Sequence, residues 1–208
     1  MKNILAPLAL TLIAAPALAQ DKMTVMLDWF VNPDHGPIIL AQEKGYFTDA
    51  GLEVELVSPA DPNEPPRMVA AGRVDLAVSY QPELHLAQRE GLDLRRVGTL
   101  VETPLTCLVV RADGPVQEMA DLKGRKVGFA VAGVQEMLLN AMLSHNGVAP
   151  AEVEQINIGW SISPALMSGQ VDGVIGAFRN FELNQMQIEG HEAVAFTPKP
   201  RACPPMTS

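Results

Sequence analysis

From residue 20 onward, runs that alternate apolar and polar positions trade places with runs whose apolar residues recur every three or four positions. The first kind is the signature of half-buried strands and the second of amphipathic helices. "MTVMLDW" alternates as a strand, and "GPIILAQEKGYF" follows with helical spacing of Ile38, Ile39, Ala41 and Gln42. "GLEVELVS" predicts a strand and "PPRMVAAGR" a short helix with proline at its start. "VDLAVSY" predicts a buried strand, "PELHLAQREG" a helix stopping at Gly91, and "LRRVGTLVE" and "LTCLVVRA" two more strands. Strands interleaved with helices imply parallel pairing in an α/β fold.

The pattern then begins again. "VQEMADLKGRKVGFAV" predicts a short helix, a turn at Gly124 and a strand. "GVQEMLLNAMLSHNG" predicts a helix with Val134, Met137, Leu138, Ala141 and Met142 on its apolar face, ended by Asn146-Gly147. "VEQINIGW", "SPALMSGQ", "VDGVIGAF", "NFELNQMQIEG" and "HEAVAFTP" follow as strand, helix, strand, helix and strand. The Gly114-Pro115 turn marks the expected junction between two lobes, residues 20–110 and 111–198. "AAGRVDLAVSY" and "MSGQVDGVIGAF" echo one another as helix end, Gly, any residue, Val-Asp and an apolar strand, which suggests two similarly built lobes.

Residues 1–19 read differently. A short basic start, apolar Ile4 to Leu18 and an "ALA" site predict a signal peptide cut after Ala19, and with it a periplasmic or secreted protein. Lys2 is the sole charge of that segment, so the remainder is one unit more acidic than the whole chain's −9. Such acidity argues against nucleic acid and anionic lipid as partners. The two cysteines, Cys107 and Cys203, give no disulfide framework, and the four scattered histidines lack metal-ligand spacing. No metal or cofactor is expected.

In open α/β sheets, ligands bind beyond the carboxyl ends of the strands. Here those loops are "DWFVNPDHG", "SYQPE", "VETPL", "AVAGV" and "AFRNFE". Trp29 and Tyr80 suit stacking on a flat ligand, or Trp29 plugs the sheet edge. Asn32 can both donate and accept through its amide, or serve as a turn residue before Pro33. His35 suits either a ligand contact or the start of a helix, and Asp28 the orientation of the loop. Glu182 suits an amino or cationic group, or is a solvated residue of a helix's first turn. "AVAGV" offers backbone N–H groups ahead of a helix, a place where an anion or ligand oxygen could sit. Signatures of serine hydrolases, phosphate-binding loops, dinucleotide sites and zinc proteases do not occur. Cys107, inside "LTCLVV", reads as a buried inert thiol.

Taken together, "LDWFVNPDHGPIILAQEKGYFTDAGLEVEL", "AAGRVDLAVSYQPE", "DLKGRKVGF" and "SGQVDGVIGAFRNFE" resemble the SsuA/NMT1/THI5-like substrate-binding proteins of bacterial ABC importers, most of all those that bind formylaminopyrimidine, a thiamine precursor. The resemblance covers Met23 to Pro198. It implies a type II periplasmic-binding fold, a monomer of two α/β lobes that close about a hinge over a small heterocycle and pass it to a membrane permease. It places Asp28, Trp29, Asn32, His35, Tyr80 and Gln81 at the cleft from the first lobe, and Phe178, Asn180 and Glu182 from the second. Phe178 stands where such proteins often carry Tyr, so a ring face survives without its hydroxyl.

Two other readings belong to the same group. Sulfonate binders would need more helix N-termini and arginine in the cleft. Thiamine pyrimidine synthases, iron-dependent enzymes that consume histidine and pyridoxal phosphate, would need a Lys and a His where Ser79 and Glu83 stand, and a Cys-rich run that is not present. The tail at 199–208, "KPRACPPMTS", departs from the family's pattern. Codons able to encode "PRACPPMTS" read, one frame over, as Glu-Gly-Val-Pro-Ala-Tyr-Asp-Glu-Leu, so a frameshift is the expected origin. The first lobe is then expected to lack its C-terminal return and the chain to be poorly stable.

Overall fold

The computed structural model describes residues 20–198. The expected signal peptide and the aberrant tail both lie outside the described residues. Two sheets organise the chain. In the first, β1 (Asp21–Met26) lies between β2 (Leu52–Val57) and the short β3 (Leu76–Ala77), all parallel. The helices α1 (Gly36–Glu43), α2 (Tyr46–Asp49), α3 (Pro65–Ala70) and α4 (Gln81–Arg89) connect and flank these strands.

The second sheet runs β6-β5-β7-β4-β8, with β4 at Thr106–Arg111, β5 at Lys126–Phe129, β6 at Glu154–Asn157, β7 at Gly173–Phe178 and β8 at Ala193–Phe196. The helices α5 (Val134–His145), α6 (Ile162–Met167) and α7 (Glu182–Ile188) accompany it. β5 is parallel to β6 and β7, whereas β4 runs antiparallel to β7 and β8. Parallel pairing therefore does not extend to every strand. β4, grouped with the first lobe by its place in the sequence, takes its partners from the second sheet, and the expected boundary at 110/111 falls at its end.

A second departure lies just before β4. "LRRVGTLVE", residues 94–102, has a strand-like pattern but forms no strand. Val97 is 80% exposed, and Leu100 and Val101 also face solvent. This segment crosses between the lobes, where no strand among the described residues pairs with its backbone, and β-propensity without a partner does not make a strand.

Both large apolar clusters belong to the second lobe. One face of its sheet packs Leu108, Val110, Val127 and Ile175 against Leu139, Met142 and Leu143 of α5. The other packs Cys107, Val109 and Val174 against Ile162, Ala165 and Leu166 of α6 and Met186 of α7. The buried face of α5 is turned from the expected one: Leu139 and Leu143 are inside, while Met137 and Ala141 are exposed. Among the described residues, Trp29 is the one member of these clusters from the first lobe's sheet and loops.

The echoed motif has one meaning in both lobes. Gly72 and Gly169, each with positive φ, end α3 and α6. Three residues on, Asp75 accepts the Thr24 N–H at 2.8 Å and Asp172 the Lys126 N–H at 3.0 Å, tying each motif to the strand beside it. Cys107 is fully buried and its Sγ donates to the Ala177 carbonyl. Burial, with the Glu182 charge adding to it, pushes the thiol up to about 12. Native protein carrying Cys203→Ser is therefore expected to resist iodoacetamide at pH 8 and to react only after denaturation, a difference mass spectrometry reads directly.

Candidate functional site

The loops that leave β1 and β3 in the first lobe meet those that leave β5 and β7 in the second. Where they meet, Trp29, Asn32, Tyr80, Gln135, Ile162, Gly176, Phe178, Phe181 and Glu182 enclose a cleft. It is closed down to about 10 Å³, room for roughly one water molecule. Rings make most of the closure. Tyr80 meets Phe178 edge-on at 5.9 Å, Trp29 meets Trp160 at 4.4 Å, and Phe30 meets Phe181 at 6.1 Å. Hydrogen bonds also span the lobes, among them Asn180 Nδ2 to Asp34 Oδ1 at 2.5 Å and the Ala132 N–H to Asn63 Oδ1 at 2.8 Å.

Behind the first-lobe wall lies a buried polar chain. His35, 1% exposed, accepts the Asn32 N–H at Nδ1 (3.2 Å), so its proton sits on Nε2 and is donated to Asp28 Oδ1 at 2.7 Å. The Tyr80 hydroxyl donates to the other Asp28 oxygen at 2.5 Å. Burial works against the Asp28 charge, but the bonds from His35 and Tyr80 outweigh it and hold the carboxyl below its usual value. Burial and the Asp28 charge push the Tyr80 phenol well above its ordinary value. The chain thus fixes the Tyr80 ring as an uncharged wall and leaves its hydroxyl committed.

Each residue singled out in the sequence can now be placed. Trp29, Asn32, Tyr80, Phe178 and Glu182 line the cleft together. Asn32, however, uses its amide at home: Oδ1 accepts the Asp34 N–H and Nδ2 donates to the Phe30 carbonyl, the turn role before Pro33. Both His35 nitrogens are engaged, so His35 and Asp28 position the wall rather than face the cleft. Gln81 is exposed at the start of α4, and Asn180 is exposed and serves as a latch to Asp34. The "AVAGV" loop does not offer free donors. Its Ala130 and Val131 N–H groups go to Gln135, Ala132 to Asn63 and Gly133 to Glu136.

Glu182 is 5% exposed and accepts the Phe178 N–H at 2.6 Å. Burial, reinforced by the Asp34 and Asp28 charges, lifts its carboxyl to about 7, so it can offer either a proton or a lone pair near neutrality. The indole N–H of Trp29 is buried and has no acceptor among the described residues. Gln135, Trp160, Ile162 and Phe181 also belong to the site, though nothing in the sequence singles them out. A glutamine in the first turn of a helix is ordinarily solvated, and the only hint was the small-residue loop before it.

The NMT1/THI5-like family profile matches residues 32–208. The chain belongs to that family. The match runs through residues 199–208, which the sequence pattern had set apart. A Haemophilus influenzae protein assigned provisionally to thiamine biosynthesis is 51% identical over 193 residues, 93% of this chain and 62% of that protein. The formylaminopyrimidine-binding protein of Halalkalibacterium halodurans is 34% identical over 86% of this chain and 54% of its own length. The 4-amino-5-hydroxymethyl-2-methylpyrimidine phosphate synthase of Schizosaccharomyces pombe is 29% identical over 76% of this chain and 46% of its own. Among solved structures, the alkanesulfonate-binding protein SsuA of Xanthomonas axonopodis superposes with a TM-score of 0.67 at 19% identity, covering 86% of this chain and 60% of that one. The fold is thus the two-lobed α/β architecture of periplasmic binding proteins. This family member spans about half to three-fifths of the length of the curated relatives it matches.

Proposed function

We propose that this family member is the periplasmic solute-binding component of an ABC importer, and that its two lobes capture a small aminopyrimidine of the formylaminopyrimidine or hydroxymethylpyrimidine type for a membrane permease. The observation that carries the reading is the Trp29 indole N–H, without an acceptor among the described residues, buried at a cleft that is walled by aromatic rings and also lined by a carboxyl group of near-neutral pKa. A buried donor without an acceptor is costly, about 1–3 kcal/mol, and a ligand acceptor relieves that cost. Rings supply flat faces. Glu182 suits the amino group and adjacent nitrogen of an aminopyrimidine, since it can accept from one and donate to the other. Admission of the ligand requires the lobes to part about the crossing near residues 94–105, with the Asn63 and Asn180 bridges breaking and reforming.

The lining favours this reading over the alternatives. It carries an acid and no basic residue, and the backbone donors that a sulfonate would use are already taken by side chains. Ser79 and Glu83, where a synthase-like chain would need Lys and His, bond to each other at 2.5 Å. Both tryptophans of the chain, Trp29 and Trp160, stand at the site, so intrinsic fluorescence reports on it. Titration of the folded full chain with 4-amino-5-hydroxymethyl-2-methylpyrimidine is expected to give a saturable fluorescence change at micromolar concentration or below, and MOPS none. Saturation by MOPS with no response to the pyrimidine would overturn the proposal.

A further inference from the structure

Gln135 stands at the second position of α5, 6% exposed, on the second-lobe wall of the cleft. Its side-chain oxygen accepts two backbone N–H bonds, from Ala130 at 2.7 Å and Val131 at 3.1 Å. That pair decides which way round the amide lies. The reversed orientation would set an NH₂ group against two N–H donors, so the oxygen faces the loop and the nitrogen is left for the cleft. No hydrogen bond from Nε2 is formed within the described residues. The opposite face of the amide lies on the backbone of β7 at Gly176, whose φ of +100° favours glycine. A Cβ at that position would overlap the amide nitrogen, carbon and oxygen alike. The strand therefore leaves one space, which the amide fills, and the amide can present one kind of group, a donor.

We propose that Gln135 is a specificity-determining residue, donating an amide N–H to an acceptor atom of the bound heterocycle. This rests on the aminopyrimidine reading above and names which side of the cleft recognises a ring nitrogen. Glu182 lines the same cleft from the start of α7 and handles the amino group. A ligand that presents a hydrogen-bond donor or a cation toward Gln135 meets a fixed N–H there and is refused. Because the loop at 130–131 anchors the amide oxygen, the nitrogen cannot rotate away to accommodate it.

The test uses the full chain and three probes: 4-amino-5-hydroxymethyl-2-methylpyrimidine and its two pyridine analogues, each with one ring nitrogen replaced by C–H. On the unaltered protein, the analogue lacking the ring nitrogen that faces Gln135 is expected to bind about 10–100-fold more weakly than the pyrimidine, as loss of a hydrogen bond in a buried site predicts, and the analogue lacking the nitrogen beside the amino group loses the Glu182 contact instead. Gln135→Glu keeps an oxygen for the Ala130 and Val131 N–H groups and removes the donor, and its thermal melt checks that the fold survives. In this variant the pyrimidine and the analogue that keeps the Gln135-facing nitrogen are expected to lose that same factor, while the analogue without that nitrogen binds variant and unaltered protein alike. Equal losses for all three probes, or no difference among them on the unaltered protein, would overturn the role of Gln135 and leave the binding function standing. Failure of the pyrimidine to bind the unaltered protein would overturn both. If the variant does not fold, equal binding of the three probes to the unaltered chain still overturns the role of Gln135.

Discussion

Trp29→Ala is expected to lower the unfolding free energy by about 3–5 kcal/mol and to abolish pyrimidine binding in the micromolar range. Trp29 is 6% exposed and belongs at once to the first lobe's loop and to the apolar cluster of Cys107, Val109, Ile162 and Met186 in the second. Truncation leaves a void at the junction and strips the Trp160 ring of its 4.4 Å neighbour. A loss of that size is a large share of the roughly 5–15 kcal/mol by which a domain is ordinarily stable. Trp29→Phe separates the two duties. It retains a ring and most of the packing but removes the indole N–H, so it is expected to melt close to the unaltered protein and yet bind about tenfold more weakly. Urea unfolding and calorimetric titration check both statements. Undiminished binding by the phenylalanine variant would show that the indole N–H meets no ligand.

Glu182→Gln is expected to stabilise the protein above neutral pH and to make no difference in acid. The carboxyl of Glu182 rises from its ordinary 4.5 to about 7, chiefly through burial. The folded state therefore holds a proton more tightly than the unfolded chain does. Stability associated with this group is fully present below about pH 4.5 and is lost as pH rises through 7. A shift of that size corresponds to a few kcal/mol at pH 8, to order of magnitude. Glutamine keeps the oxygen that accepts the Phe178 N–H and has no charge to bury. Denaturant unfolding at pH 4.5, 6, 7 and 8 should show curves that coincide in acid and separate steadily above it. Parallel curves across the range would contradict the assignment.

The site is partly legible in the sequence, and the alternatives the sequence leaves open have a common cause. Trp29, Tyr80 and Glu182 follow from the rule that strand ends carry ligands and Phe178 from the family resemblance, and the structure gathers them at one cleft. Asn32 and His35 come from the same loop and have the right chemistry, yet their polar atoms are consumed by Phe30, Asp34 and Asp28 within a few residues. Residue type announces what a side chain can bond to, but not whether a neighbour has already taken the bond. Gln135 errs in the opposite direction, since its importance depends on a glycine forty-one positions away.

By itself the sequence determined the alternation of strands and helices, the inert character of Cys107 and the two copies of Gly-x-Val-Asp. These depend on periodicity, local backbone preference and short-range capping, which neighbouring residues settle among themselves. Tertiary structure alone decided that β4 joins the second sheet in antiparallel sense, that residues 94–102 cross over without pairing, and that α5 buries Leu139 and Leu143 instead of Met137. It also decided which polar atoms face the cleft unpartnered. Each of those outcomes requires a partner distant in the chain, and a hydrogen bond or buried contact has no energy until that partner arrives.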